Sequence, residues 1–398
     1  MIEKKYEIGY CTKPLEEPEK EEIKLNWNDF NNKYSLDTSY YYLASNGIDL
    51  YYYYNNKRGL HYRNMQTGEQ KQIYTSGLGW RNFFEDSRGN IYVGSASSYG
   101  LLYLKKDYCV LLFSGSSCSY FFETSDNNVY VSGTYLYHIN GEKYSQISDF
   151  KATSFFEDRE GNLYASGNSD GIIKINNSYV KKIYENGIYW YFNFEDTKGN
   201  IYISSANSSY PGILVINDNN INMSYSQGYD WTFFFEDSKG NIYASGSGST
   251  HIGIIKFDGN NWTRIYSNYQ YKHFFETSNG IIYVGSYSNP GGVICIDGDN
   301  VVQTYTKGYK WQYFYEDSKG NVYVSSSDTS GIIFLNTSSS ILLYNVDNNW
   351  KYFFNINDET YVSKTENPQN KEKIVKLNGE NYELIYFVEG ENNETENI

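Results

Sequence analysis

Carboxylates that recur at a fixed spacing are the first residues in this chain with the means to do chemistry. A Glu recurs at seven positions and is followed by Asp in five of them; the seven are Glu85, Glu123, Glu157, Glu195, Glu236, Glu276 and Glu316. Paired carboxylates can act as general acid and base, but an enzyme needs one constellation and not a copy in every repeat. Most copies stand before turn signals such as SRGN and SKGN. We therefore expect the Glu and its following Asp to accept backbone N–H groups of their own hairpin.

A second repeated position, five residues before the Glu, is aromatic in most copies. It is occupied in turn by Thr38, Trp80, Cys118, Ala152, Trp190, Trp231, Tyr271, Trp311 and Trp350. Together with Tyr229 and Tyr309, the six aromatic residues predict an arc that stacks on sugar rings or grips a peptide. The alternative is that these rings pack between repeats, because large aromatic side chains mostly serve burial.

Histidine and cysteine offer little for catalysis or metal binding. His251 and His273 interrupt the repeat and are the weak candidates for a metal ligand or an acid–base pair, but no third ligand accompanies them. The four Cys residues are scattered without a CxxC pair. No G-x-S-x-G, phosphate loop or H-E-x-x-H is present. We expect no cofactor and no metal.

The elements that position these residues are tandem repeats. The nine equivalent positions from Leu43 to Asn355, which include the seven Glu residues, are spaced 39 residues apart on average. Each repeat contains four strand-like runs; in one they are WTFFFED, IYASG, GIIKF and WTRIYS, joined by Gly-containing turns. Because a single repeat exposes two apolar faces, the repeats should pack side by side in a ring. We predict an all-β fold, a single closed β-propeller of about nine four-stranded blades, with eight blades plus extra strands as the alternative.

The domain boundaries follow from the repeat. Residues 1–27 form a charged N-terminal extension, in which residues 22–27 can add one strand that latches the ring. Residues 28–388 form the propeller. Residues 389–398 read as a disordered tail, since they are polar and acidic.

The strand order predicts two different rims. The turns after the first and third strands of each repeat lie on one side and are short and uniform. The other side, which we call the variable face, carries the connections after the second and fourth strands. Its longer loops span Ser95–Gly100, Ala206–Gly212, Ser247–Gly253, Ser286–Gly292, Ser326–Gly331 and Lys364–Lys373. Tyr, Ser, Gly and Asn dominate these loops, as in binding surfaces that combine rigid rings with adaptable hydrogen bonds.

The charge and hydropathy patterns exclude some partners. The formal net charge is −14 and Arg occurs only six times, so we expect no nucleic-acid partner. No run of 18 apolar residues exists, so we expect no membrane insertion. The N-terminus lacks an apolar signal segment, which predicts a cytoplasmic location, or a periplasmic or extracellular one if a leader was removed.

The motif F-x-E-D-x-x-G-N-[IV]-[YW]-[VI]-[GS], followed by G-[IL]-[IL], resembles the repeat of two-component-regulator propellers. The resemblance covers roughly residues 38–388, with Tyr at positions such as Tyr92 and Tyr243 where that family prefers Trp. It implies a propeller of the kind found in the periplasmic sensor regions of bacterial hybrid histidine kinases, here without a kinase.

The sequence favours a monomeric binding scaffold over an enzyme. The expected ligand is a glycan or peptide held on the variable face. A first alternative is a carbohydrate-active enzyme, a glycoside hydrolase or polysaccharide lyase, that uses the same face. A second is an assembly scaffold for a protein partner that takes no small ligand.

Overall fold

All regular structure in the described part of the chain is β-strand, arranged as nine antiparallel sheets of four. The computed structural model describes residues 40–386 except 55–57, 168–170, 177–178, 186–188, 208, 210–211, 218–219, 229, 247–252, 328–330, 346–348 and 366–372. Across these ranges there is no helix that is long and apolar enough to cross a membrane. The predicted extension at 1–27 and the predicted tail at 389–398 lie outside the described residues.

Each sheet is one blade, and its four strands follow each other in chain order. Blades 1–3 contain β1 (Tyr40–Leu43), β2 (Asp49–Tyr53), β3 (Leu60–Asn64) and β4 (Gln70–Tyr74); β5 (Trp80–Glu85), β6 (Ile91–Ser95), β7 (Leu101–Lys105) and β8 (Tyr108–Phe113); β9 (Cys118–Glu123), β10 (Val129–Gly133), β11 (Leu136–Asn140) and β12 (Lys143–Ser148). Blades 4–6 contain β13 (Ala152–Glu157), β14 (Leu163–Gly167), β15 (Ile172–Asn176) and β16 (Tyr179–Tyr184); β17 (Trp190–Glu195), β18 (Ile201–Ser205), β19 (Ile213–Asn217) and β20 (Asn220–Tyr225); β21 (Trp231–Glu236), β22 (Ile242–Gly246), β23 (Gly253–Phe257) and β24 (Trp262–Tyr266). Blades 7–9 contain β25 (Tyr271–Glu276), β26 (Ile282–Ser286), β27 (Val293–Asp297) and β28 (Asn300–Tyr305); β29 (Trp311–Glu316), β30 (Val322–Ser326), β31 (Ile332–Leu335) and β32 (Ile341–Tyr344); β33 (Tyr352–Ile356), β34 (Glu359–Ser363), β35 (Lys373–Asn378) and β36 (Asn381–Tyr386).

The second strand of each blade lies at the centre of the packing. In blade 6, all five residues of β22 are buried, whereas the fourth strand β24 has no fully buried residue. A continuous buried run is what a strand covered on both faces requires, because each blade is covered by a neighbour on either side. The aromatic and β-branched residues that predict strands are therefore also the residues that fill the junctions between blades.

Apolar clusters join consecutive blades at eight junctions, from blades 1 and 2 through to blades 8 and 9. At the junction of blades 6 and 7, for example, Tyr243 and Ile254 pack with Tyr271 and Val284. Among the described residues, no such cluster contains members of both blade 9 and blade 1. The all-β propeller and the count of nine blades are confirmed, and the alternative of eight blades with extra strands is wrong.

Candidate functional site

The Asp that follows the repeated Glu closes the first hairpin of its own blade. In blade 6, the buried Asp237 carboxylate accepts the backbone N–H of Lys239 at 3.0 Å and that of Asn241 at 2.8 Å. The Asn241 side chain donates a third bond at 2.7 Å, and the Tyr243 hydroxyl donates a fourth at 3.2 Å. Burial, followed by the charge of Asp237, raises the pKa of Tyr243. The predicted structural role of this Asp is therefore observed.

The repeated Glu has a different role from the one predicted, because it binds the turn of the preceding blade and not its own. Glu236 accepts the backbone N–H of Thr197 at 2.7 Å and the Thr197 hydroxyl at 2.6 Å. Glu276 accepts the same pair of groups from Ser238 at 2.8 and 2.7 Å. The donors to all seven Glu residues are, in order, Ser45, Ser87, Ser125, Arg159, Thr197, Ser238 and Ser278.

We call this contact the glutamate clamp. It occurs at seven consecutive junctions, from that of blades 1 and 2 to that of blades 7 and 8. A signal for it was present in the sequence: a Ser or Thr stands two residues after the motif position of the preceding repeat at six of the seven clamps, and Arg159 replaces it at the other. The seven carboxylates are therefore committed to holding blades together through charge-assisted hydrogen bonds.

The two aromatic residues before the Glu form a second contact between blades. The ring immediately before the Glu stacks on a ring of the first strand of the next blade, as Phe235 does on Phe274 at 5.6 Å with an interplanar angle of 3°. One such pair occurs at each of eight junctions: Tyr42–Phe83, Phe84–Phe121, Phe122–Phe155, Phe156–Phe192, Phe194–Phe234, Phe235–Phe274, Phe275–Phe314 and Tyr315–Phe353. In blade 9 the corresponding Phe354 stacks instead on Tyr361 of its own sheet.

The six aromatic residues predicted to form a ligand-binding arc are buried. Trp80, Trp190, Trp231, Tyr271, Trp311 and Trp350 have exposed fractions of 0 to 1%. Each packs edge-on against a Tyr at the end of the preceding blade, as Trp311 does against Tyr305 at 5.7 Å and 90°. The Trp311 indole N–H donates to the Lys307 carbonyl oxygen at 3.1 Å, which fixes the connection between the two blades. The expectation of a stacking surface made of these rings is not met, because no ring face is left for a ligand.

The other predicted site residues are dispersed. Tyr309 is half-buried, with the Lys310 Nζ 5.3 Å from its ring centroid. Tyr229 and His251 lie outside the described residues. Among the residues whose placement is described, no group of three or more His, Cys, Asp or Glu side chains could hold a metal ion.

In other blades, a side chain of the first or the second strand donates a hydrogen bond to a carbonyl oxygen of the next blade. In blade 7, His273 lies at this place. The Ser245 hydroxyl donates to the Tyr271 carbonyl oxygen at 2.5 Å, and in blade 2, where Gly94 replaces this Ser, the Asn82 side chain donates to the Cys118 carbonyl oxygen at 2.8 Å. Blade 7 has Gly285 opposite His273 in the same register. The His273 Nε2 atom, however, is buried without a hydrogen-bond partner. Burial, together with the neighbouring Lys272, lowers the pKa of His273 to about 4.

Among the described residues, exposed tyrosines that the sequence interpretation did not single out lie on the variable face. Tyr99, Tyr189, Tyr191 and Tyr287 are 40 to 48% exposed. Backbone hydrogen bonds hold the loops that carry them: the Ala206 N–H donates to the Tyr189 carbonyl oxygen at 3.1 Å, and the Tyr287 N–H donates to the Gln270 carbonyl oxygen at 2.8 Å. These rings are able to stack on a ligand, and their hydroxyls can donate or accept hydrogen bonds.

A cavity of about 290 Å³ lies on the opposite rim, between blades 6 and 7. The rings of Phe235, Phe274 and Phe275 line it together with the carboxylates of Glu236 and Glu276. Because both carboxylates accept two hydrogen bonds in the glutamate clamps, this cavity is bounded by groups already committed to the junction.

Comparison with known proteins identifies structural neighbours only. No protein-family model matches the chain, and no curated protein matches it either. The chain is similar to the extracellular domain of the hybrid two-component system BT4673 from B. thetaiotaomicron, with 15% identity, a TM-score of 0.28, and coverage of 87% of this chain and 60% of that one. For the corresponding domain of BT3049 from the same organism, the identity is 14%, the TM-score 0.31 and the coverage 87% and 57%.

A third neighbour is virginiamycin B lyase from Staphylococcus aureus, with 8% identity, a TM-score of 0.33, and coverage of 65% of this chain and 92% of that one. The chain thus spans less than two thirds of the two sensor domains. The two domains are described as parts of two-component systems, the kind of protein whose repeat the sequence motif resembles. Both sensor domains are described as extracellular, and the location of this chain stays a prediction.

Proposed function

We propose that this chain is a non-catalytic, monomeric binding module that holds a glycan or peptide on its variable face, outside the cytoplasm. The observation that carries the proposal is the set of exposed tyrosines on this face, of which Tyr287 is 48% exposed. Rings that are exposed yet fixed by the backbone offer contact area at a low entropy cost.

The distribution of the charged groups also supports binding over catalysis. The repeated carboxylates, which resemble an acid–base array in the sequence, are each engaged in a turn or in a glutamate clamp. A glycoside hydrolase needs one carboxylic acid and one carboxylate free to face a substrate.

The test is a ligand screen with matched variants. Wild-type protein is applied to glycan and peptide arrays, and each hit is measured again with Tyr189→Ala and Tyr287→Ala. The control variants are Tyr108→Ala and Tyr179→Ala, which remove tyrosines that are 53 and 65% exposed at the turns on the opposite rim.

We expect at least one variable-face variant to weaken binding about tenfold, which corresponds to about 1.4 kcal/mol, while the controls bind as wild type does. Equal loss in the controls, or no binding at all, would contradict the proposal. Release of products from a polysaccharide would favour the carbohydrate-active enzyme, and a stable protein partner without any small ligand would favour the assembly scaffold.

A further inference from the structure

Lys272 is held between two aromatic rings on the variable face. Its Nζ lies 4.9 Å from the ring centroid of Phe233 and 5.3 Å from that of Tyr287. Phe233 belongs to β21 of blade 6, whereas Lys272 is the second residue of β25 in blade 7 and Tyr287 follows β26 of the same blade. The cation thus lies at the junction of two blades, at a fixed place and not on a free side chain.

No carboxylate of the described residues pairs with Lys272. The described ion pairs involve other cations, such as Lys71 with Asp107 and Lys105 with Glu142. The chain has a net charge of −14, so a lack of acidic residues does not explain the unpaired ammonium group. Lys272 is half-buried, unlike the solvent-exposed Lys181 on an outer strand, and it therefore gives up part of its hydration without an internal counter-charge.

The loop that carries Tyr287 is fixed before any ligand arrives. Besides the bond from the Tyr287 N–H, the Gln270 N–H donates to the Ser288 hydroxyl at 3.1 Å. The Tyr271 hydroxyl donates to the Gly291 carbonyl oxygen at 3.1 Å. A ring that is half exposed on a pinned loop costs little to order when a ligand binds.

We propose that Lys272 and Tyr287 form a subsite for a carboxylate-bearing sugar, a uronic acid residue of a glycan; this inference rests on the proposed function. The sugar carboxylate pairs with the Lys272 ammonium group, and the C–H face of the same pyranose ring lies on Tyr287. Phe233 holds the Lys272 side chain from behind. A single cation beside one exposed ring fits a ligand that joins a carboxylate to an apolar C–H face, whereas the side chain of Asp or Glu has no such face to lie on Tyr287.

The experiment compares trigalacturonate with its methyl ester by isothermal titration calorimetry. The ester keeps the sugar rings and removes the charge. The variants are Lys272→Met, Lys272→Arg and Tyr287→Ala, with Lys181→Met as the matched loss of a lysine elsewhere. Circular dichroism melting establishes that each variant is folded.

We expect wild type and Lys181→Met to bind the acid about tenfold more tightly than the ester. Lys272→Met should lose this preference, Lys272→Arg should keep it, and Tyr287→Ala should weaken the binding of both sugars. The preference should also shrink as the salt concentration rises.

Equal binding of acid and ester, or an unchanged preference in Lys272→Met, would overturn the uronate subsite and leave the binding module standing. So would the absence of trigalacturonate binding in a protein that binds a neutral glycan or a peptide on the arrays, or competition by poly-glutamate as strong as that by trigalacturonate. A protein that binds nothing on any array would overturn the proposed function as well.

Discussion

At the scale of single residues, two adjacent carboxylates have different roles because they bind different blades. Asp237 binds within its own hairpin, whereas the adjacent Glu236 binds the turn of the preceding blade. From the sequence, both residues were expected to bind the hairpin of their own blade, because they are adjacent in the chain. Glu236, however, is the last residue of β21 and binds the preceding blade, whereas Asp237 is the first residue of the turn and binds within it.

Removal of one glutamate clamp should destabilise the protein measurably. Glu236→Ala deletes two charge-assisted hydrogen bonds from Thr197, and we expect the free energy of unfolding to fall by about 2 kcal/mol. Glu69→Ala is the control, because the exposed Glu69 side chain makes no hydrogen bond or ion pair to a described residue. Urea denaturation at pH 7 measures both; an equal effect in the two variants would show that the clamp does not hold the blades together.

His273 should make stability depend on pH. Its pKa is about 4 in the folded protein, against an ordinary value of about 6.5, so between these values the unfolded chain binds a proton that the folded chain does not. Stability therefore falls as pH drops from 6.5 towards 4, by about 2 kcal/mol at pH 5. His273→Asn removes the titrating group and supplies an amide like that of Asn82, which donates a hydrogen bond to the Cys118 carbonyl oxygen of the next blade.

Urea denaturation at pH 7 and pH 5 tests this, with His273→Asn expected to lose about 2 kcal/mol less than wild type over the interval. Other groups titrate in both proteins and cancel in the comparison. If the two proteins lose the same free energy, His273 is not the source of the pH dependence.

At the scale of elements, the strands were predictable and their contacts were less so. The four runs read from the sequence near Trp231 correspond to β21–β24 within one or two residues, because hairpin turns with Gly are local signals. The burial of the Trp residues was not decided by the sequence, since an aromatic residue at a strand start fits a binding rim and a packed junction alike. The Tyr six residues before each of these five Trp residues was a sequence signal for packing, because it marks the edge-on partner in the preceding strand.

The first hairpin of a blade should be more sensitive to loss of its Asp than the third. Asp237→Ala removes an acceptor of four hydrogen bonds at a buried site, and we expect a loss of about 3 kcal/mol in the free energy of unfolding. Asp258→Ala is the matched control, because Asp258 is exposed in the turn between the third and fourth strands of the same blade and accepts two backbone N–H groups. We expect Asp258→Ala to lower the free energy of unfolding by less. An equal or larger loss would show that the hairpin of Asp258 matters at least as much as that of Asp237.

At the scale of the whole molecule, the propeller is a series of like junctions, of which the last of the eight, between blades 8 and 9, lacks one contact. The first eight junctions have stacked rings and apolar clusters, and seven have glutamate clamps. Blade 9 has Asn355 in place of the Glu, although Ser318 of blade 8 stands where the other clamps have their donor. The sequence shows that the repeats at Leu43 and Asn355 lack the Glu. It does not show which contact is lost with it, because the donor to each Glu lies in the preceding repeat.

Blade 9 should therefore open more readily than the central blades, and restoring its clamp should slow that opening. Asn355→Glu places a carboxylate where the Ser318 N–H and hydroxyl can donate to it. The model for this contact is Glu316, whose carboxylate accepts the Ser278 N–H at 2.6 Å and the Ser278 hydroxyl at 2.7 Å. We expect the amides of β33–β36 to exchange more slowly, by about fivefold, as for a local gain of about 1 kcal/mol. Asn355→Gln should give a smaller gain, because a neutral amide accepts weaker hydrogen bonds than a carboxylate does. Hydrogen exchange followed by mass spectrometry measures both variants, with blade 5 as the internal reference; exchange in blade 9 that stays unchanged in Asn355→Glu would mean that the missing clamp does not limit its stability.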